Sequence, residues 1–136
     1  MKTDLSDKLT ILIAAKADSE DRLINLGITL DYINYHFDVP IILSEQDETP
    51  KLYNICKEQN VKHIFYETNE FFNRQRGVNI CAKAVTTPVI AHYDADILLK
   101  SQQINGAVKA ILDKSADLVY PYDGRFYDVP KNYHQE

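Results

Sequence analysis

Asp94 and Asp96 stand one residue apart, directly after the apolar run Pro88-Val89-Ile90-Ala91-His92-Tyr93. Side chains at i and i+2 of an extended segment point the same way. Two like charges held that closely repel each other unless a cation or a cluster of donors lies between them. The chemistry that wants such a pair is a hard cation bridging to phosphate oxygens. One carboxylate then holds Mg2+ or Mn2+, and the other takes a sugar or ribose hydroxyl. The bland alternative is a solvated turn, where aspartate is common. No catalytic base follows from the pair.

Other residues qualify by type and position. Arg74 and Arg76 open a helix-like segment and read either as solvated helix-start arginines or, for Arg74, as a planar fork near a phosphate or base, since a helix start favours anions. Asn79 either lines the same helix face as Gln75 and Arg76 or is simply exposed. Glu45-Gln46-Asp47-Glu48 reads either as a solvated loop or as acceptors (Glu45 or Asp47) for a nucleotide base N–H. Lys16 follows the first apolar run. Gly77 costs its helix about 1 kcal/mol relative to alanine, which either a close approach by a neighbouring chain or ligand or a tolerated local cost would explain. His92 reads as a packed, hydrogen-bonded histidine rather than a metal ligand. Tyr120, Tyr122, Phe126 and Tyr127 form an aromatic-dense stretch suited to stacking on a sugar or to packing against another element.

The elements that must position these groups alternate. Residues 9–15, LTILIAA, read as a buried strand. Asp18 or Ser19 caps a helix carrying Leu23, Leu26, Leu30, Ile33 and Phe37 at helical spacing. Val39–Leu43 is a second strand. Thr49-Pro50 reads as the start of a short helix with Leu52, Ile55 and Cys56 inward. Val61–Tyr66 is a third strand, Arg74 to Val85 a helix, and Pro88–Tyr93 a fourth strand. Ser101 caps a helix bearing Ile104, Val108 and Ile111, and Asp117–Tyr120 is a fifth strand. This alternation predicts an α/β fold, a mostly parallel sheet with helices on both faces. Ligands of such sheets bind at the carboxyl ends of strands. Three polar strand exits, near Lys16-Ala17-Asp18, Glu45-Gln46-Asp47 and Asp94-Ala95-Asp96, are therefore expected to converge on one crevice.

The 136 residues predict a single domain with a loop-like tail over 121–136. Fifteen basic against 20 acidic residues, a formal charge of -5, argue against a broad nucleic-acid surface. No run approaches the length of a membrane-spanning helix, and the start, MKTDLSDKLT, lacks the apolar run of a secretion signal. Cys56 and Cys81 read as a pair of buried thiols in a reducing cytoplasm.

With these residues placed, the sequence resembles the family 2-like glycosyltransferases of the GT-A fold, in the branch of the beta-1,4-galactosyltransferases and bacterial polysaccharide enzymes. Phe72-Asn73-Arg74 followed by Gly77-Val78-Asn79 is similar to that family's nucleotide-sugar helix opening. Val89 to Asp96 is similar to its strand into the Asp-x-Asp triplet, and Ser19-Glu20-Asp21-Arg22-Leu23 with Leu26 to its first helix opening. The resemblance covers roughly residues 9 to 125. It implies a Rossmann-like nucleotide-diphospho-sugar fold, here the donor-binding part without the acceptor half. It implies Asp94 on the nucleotide-sugar, Asp96 on Mn2+ or Mg2+, Arg74 by the diphosphate and Asp47 near the uracil. Lys16 stands where an arginine is frequent. The activity implied is metal-assisted transfer of a sugar from a UDP-type donor to a saccharide hydroxyl.

Two other classes compete. A sugar-phosphate nucleotidyltransferase shares the sheet, metal and nucleotide, but wants a glycine-rich loop after the first strand, where this chain has Ala14-Ala15-Lys16-Ala17. A non-catalytic binding module is the other, and the aromatics at 120–127 would then favour self-association into a homo-oligomer.

Overall fold

Strand β2 (Leu9–Ala15) lies inside a four-stranded sheet, and its apolar run is buried along nearly its whole length. The structure, a computed structural model, describes residues 2–130. Ahead of β2, β1 (Thr3–Asp4) pairs in parallel with β3 (Phe37–Asp38) as a separate two-stranded sheet. The main sheet contains β2, β4 (Ile41–Asp47), β5 (Lys62–Glu67) and β6 (Val89–His92) in the order β5-β4-β2-β6, with every pair parallel. Helices α1 (Glu20–His36), α2 (Tyr53–Glu58) and α3 (Arg74–Ala82) supply the connections.

The chain steps outward from β2 to β4 to β5, then returns to the other side of β2 as β6. Right-handed crossovers consequently put α1 and α2 on one face and α3 on the other. Side-chain parity agrees. Leu12, Ala14, Ile42 and Ile64 gather with Val78, Cys81, Ala82 and Val85 on the α3 face. Ile11, Ile13 and Leu43 alternate to the opposite face and are equally buried. There α1 contributes Leu26, Leu30 and Ile33, and α2 follows Leu52 and contributes Cys56. Each such side chain removed from water contributes on the order of 2 kcal/mol.

Gly77 has a packing reason. A Cβ there would lie 2.6 Å from the Ala14 Cβ and 2.7 Å from the Ser44 Oγ. Helix α3 is seated directly on β2 and β4, and the close approach is made by the chain's own sheet.

Several expected boundaries move. The second strand runs to Asp47 rather than ending at Leu43, so Glu45, Gln46 and Asp47 are buried strand residues and not a solvated loop. Polar side chains tolerate burial when partners satisfy them, and tertiary partners do so here. The α2 helix begins at Tyr53 and not at Thr49-Pro50. Helix α3 stops at Ala82, short of Val85. Leu23 is exposed at the first turn of α1, unlike Leu26, Leu30 and Ile33. His92 is exposed, not packed, because β6 is an edge strand and Ile90 and His92 share its open side.

Leu99 begins a second compact unit. Its helix α4 (Ser101–Leu112) buries Ile104 and Val108 and follows Lys100, whose N–H donates to the Gln103 Oε1 at 2.9 Å. The Gln103 Nε2 donates to the Pro121 carbonyl at 2.7 Å, which ties the later segment back to the helix. Asp117–Tyr120 is not a strand. A strand exists by pairing, and no described strand pairs with it. Residues 121–130 carry no helix or strand, and the rest of the expected tail, 131–136, lies outside the described residues. Among the described residues, no helix is long and apolar enough to cross a membrane.

Candidate functional site

The strand order reverses between β2 and β6, and in open parallel sheets a crevice forms outside the strand ends at such a reversal. A crevice of about 250 Å³ lies there, lined by Ala14 to Ala17 from the end of β2 and Asp94 to Asp96 after β6. Arg22, Asn25 and Leu26 of α1, with Leu52, Phe72 and Arg74, complete its wall. Its charged groups are Lys16, Arg22, Arg74, Asp94 and Asp96.

Local chemistry explains why each group arrives there. Ser19 caps α1 by accepting the Arg22 N–H at 3.2 Å, so the first turns of α1 stand at the end of β2. The Arg22 Nε is paired with the Asp18 Oδ1 at 2.9 Å. Asn73 caps α3 by accepting the Arg76 N–H at 2.9 Å, which makes Arg74 the first helical residue. From that position the Arg74 guanidinium is ion-paired with the Asp94 carboxylate. Both groups are partly open to solvent, and such pairs contribute at most about 1 kcal/mol. The contact therefore orients more than it stabilises. After β6 the chain turns at Ala95–Asp96 and does not continue extended. The buried Tyr93 holds that turn through its hydroxyl, which donates to the Ile97 carbonyl at 2.8 Å.

The expected residues thus fall into two groups. Lys16, Arg74, Asp94 and Asp96 line the crevice together. Glu45, Asp47 and Asn79 are not among its lining residues. Glu45 is fully buried and accepts from the backbone N–H groups of Lys51 (2.8 Å) and Leu52 (3.2 Å). Its Oε1 also lies 2.9 Å from the His63 Nε2. It caps the entry to α2 from the neighbouring strand. Asp47 is buried, accepts the Glu48 N–H and pairs with the Lys51 ammonium at 3.0 Å. Burial works to raise its carboxyl, but Lys51, the Glu48 N–H and the charge of Lys16 outweigh it and hold it below the usual carboxylate range. Asn79 is exposed and accepts from Gln75 one turn earlier. Arg76 parts from Arg74: it pairs with Glu70 at 3.0 Å and lies over the Tyr66 ring.

His92, on the strand leading to the triplet, is held below its ordinary value by partial burial and then by the Arg74 charge. Both cysteines are buried. Burial, then the Glu45 charge, pushes the Cys56 thiol up to about 12, and burial raises Cys81 as well. Neither is a nucleophile at neutral pH.

Among the described residues, no three His, Cys, Asp or Glu side chains are grouped to hold a metal ion by themselves. The crevice offers instead an exposed carboxylate, Asp96, beside one shared with Arg74. Hard cations that act on phosphates are commonly held by one or two carboxylates, with phosphate oxygens and water completing the shell. The donor set fits a cation bound jointly with a diphosphate.

Asn25 was not singled out by sequence reasoning, and Arg22, Phe72 and Gln46 were named only within longer motifs, with no role of their own. Arg22 and Asn25 sit three apart on a capped helix start, a spacing that could have placed both on the crevice side. Gln46 carries no local signal.

Neither a protein-family model nor a curated protein sequence matches the chain. Solved structures do. Residues 1–349 of S. aureus TarS superpose with a TM-score of 0.58 at 16% identity, over 81% of this chain and 34% of that one. A second S. aureus TarS structure gives 0.52 at 13%, over 79% and 20%. The chain has a TarS-like fold. It spans about a third of the first TarS chain and a fifth of the second. At such identity the likeness establishes architecture alone: a mixed α/β fold with a mostly parallel, Rossmann-like sheet.

Proposed function

We propose that the chain is the donor-binding part of a GT-A glycosyltransferase, which moves a sugar from a UDP-type donor to a saccharide hydroxyl. The observation that carries this reading is the meeting of Arg74, Lys16, Asp94 and Asp96 in one crevice at the strand reversal. The fold match and the resemblance of the Phe72-Asn73-Arg74 and Asp94-Ala95-Asp96 motifs support it.

In this reading Arg74 exchanges Asp94 for the diphosphate, using its planar fork of donors. Lys16 adds a point charge on the same wall. Asp94, once released, accepts from a ribose or sugar hydroxyl. Asp96 holds the Mn2+ or Mg2+. That cation, when bound, neutralises charge on the departing nucleoside diphosphate. Leu26 and Leu52, buried, and Phe72, exposed, give the crevice its apolar surface. Asp47 is the residue we assign near the uracil, and this assignment requires its carboxylate to share Lys51. Glu45 has three donors of its own to satisfy, so we give it no ligand. The catalytic base is not assigned to any residue of this chain. A cytoplasmic location is our reading, in keeping with two buried thiols.

Calorimetric titration of UDP with and without Mn2+ tests the proposal. UDP should bind more tightly with Mn2+, and Asp96→Asn should abolish that difference while leaving UDP binding measurable. Equal binding with and without Mn2+ in the folded wild type would count against it.

A further inference from the structure

Gln46 lies near the carboxyl end of β4 and is 1% exposed. A buried primary amide is costly unless both its ends are satisfied. Here they are satisfied by one residue. The Gln46 Nε2 donates to the Asn73 carbonyl at 2.7 Å, and the Asn73 N–H donates to the Gln46 Oε1 at 3.1 Å. The side-chain amide thus pairs with the Asn73 backbone as a neighbouring strand would. Asn73 in turn caps α3, and Arg74 follows it.

The same amide borders Gly77, one turn into the helix, where an added Cβ would lie 3.0 Å from the Gln46 Nε2. Helix α3 is therefore bonded to β4 at its cap, and its first turn packs closely against the same side chain. The longest lever on that start is Arg74, whose guanidinium reaches Asp94 on the far side of β2 from β4. A small rotation of the cap would move the guanidinium by more than hydrogen-bond tolerance.

We propose that Gln46 is a positioning residue for Arg74: its doubly paired amide sets where α3 begins, and so delivers the guanidinium to the crevice. Its bearing on ligand affinity rests on the function proposed above. Its bearing on the Arg74–Asp94 contact does not.

The test follows the Arg74 side-chain Nε–H signal by NMR in the full chain, assigned by its loss in Arg74→Lys. Asp94→Asn should shift this signal. Gln46→Met, nearly isosteric but without the amide, should shift it likewise while the amide signals of β2 and β6 stay in place. UDP affinity in the presence of Mg2+ should fall at least about tenfold, the usual scale for loss of a supporting partner. In an Arg74→Met background the same Gln46→Met change should cost less than about twofold, since a residue acting through Arg74 has nothing left to position. An unmoved Arg74 signal in Gln46→Met overturns the proposal, as does an equal affinity loss with and without Arg74. Should Gln46→Met fail to fold, Gln46→Asn keeps the amide but is one methylene too short to hold both bonds to the Asn73 backbone. A wild-type Arg74 signal in that variant also overturns it. A wild type that does not bind UDP sinks the proposed function, and the Arg74 signal still decides the role of Gln46.

Discussion

Two strand ends in this molecule carry nearly the same chemistry and do opposite things with it. The end of β4 reads Ser44-Glu45-Gln46-Asp47, and β6 leads into Asp94-Ala95-Asp96. At β4 the three long polar side chains are buried and answered by the chain itself: the α2 entry and His63 for Glu45, Asn73 for Gln46, Lys51 for Asp47. After β6 the carboxylates stand at a crevice, one shared with an arginine and one exposed to water. Residue type alone does not separate a scaffold carboxylate from a ligand-facing one. The number of internal donors that reach it does.

The comparison can be broken most severely at Glu45. Glu45→Ala should destabilise the fold by about 3 kcal/mol, because it leaves buried donors without an acceptor. Urea unfolding measures this, and a loss below about 1 kcal/mol would mean that water replaces the carboxylate easily. Next is Gly77, which touches the same strand end. Gly77→Ala should cost about 2 kcal/mol, since overpacking against Ala14 and Ser44 exceeds the helix-propensity gain. A stabilised variant would show that α3 can lift from the sheet.

Asp47 gives a pH signature. Its folded carboxyl lies below its unfolded value of 3.8, so its contribution is fully present above that pH and is lost as pH falls through the folded value. Asp47→Asn should flatten that part of the acid limb of stability against pH, and an unchanged limb would place the effect elsewhere. The smallest expected change is at the other strand end. Asp96→Asn should leave unfolding within about 0.5 kcal/mol of wild type, in contrast to its effect on Mn2+-dependent UDP binding.

Much of the architecture was legible. The apolar run of β2, the Ser19 cap and the Leu26, Leu30, Ile33 stripe are local signals, and the structure contains all three. The helix start at Arg74 and the acidic exit after β6 were legible for the same reason. The convergence of three strand exits was only partly realised. Lys16 and the Asp94 triplet meet, whereas the β4 end turns its groups into the fold. Nothing in the letters Glu-Gln-Asp announces a buried strand, because its stabilising partners, Lys51, His63 and Asn73, lie 4 to 27 residues away. The two-residue strands β1 and β3 are too short to carry a period. Asp117–Tyr120 has the composition of a strand but no described pairing partner. A close approach at Gly77 was legible as one explanation of its cost, but not that the chain's own sheet makes it.

Ala14 belongs to two neighbourhoods at once. It lines the crevice, and it lies under Gly77 where α3 rests on the sheet. A bulkier residue at 14 would narrow the cavity and lift the helix in a single substitution. The width of the cleft and the seating of α3 are consequently not independent variables for selection or for design. A broader ligand would have to be accommodated away from Ala14, on the Asn25 and Phe72 side of the crevice.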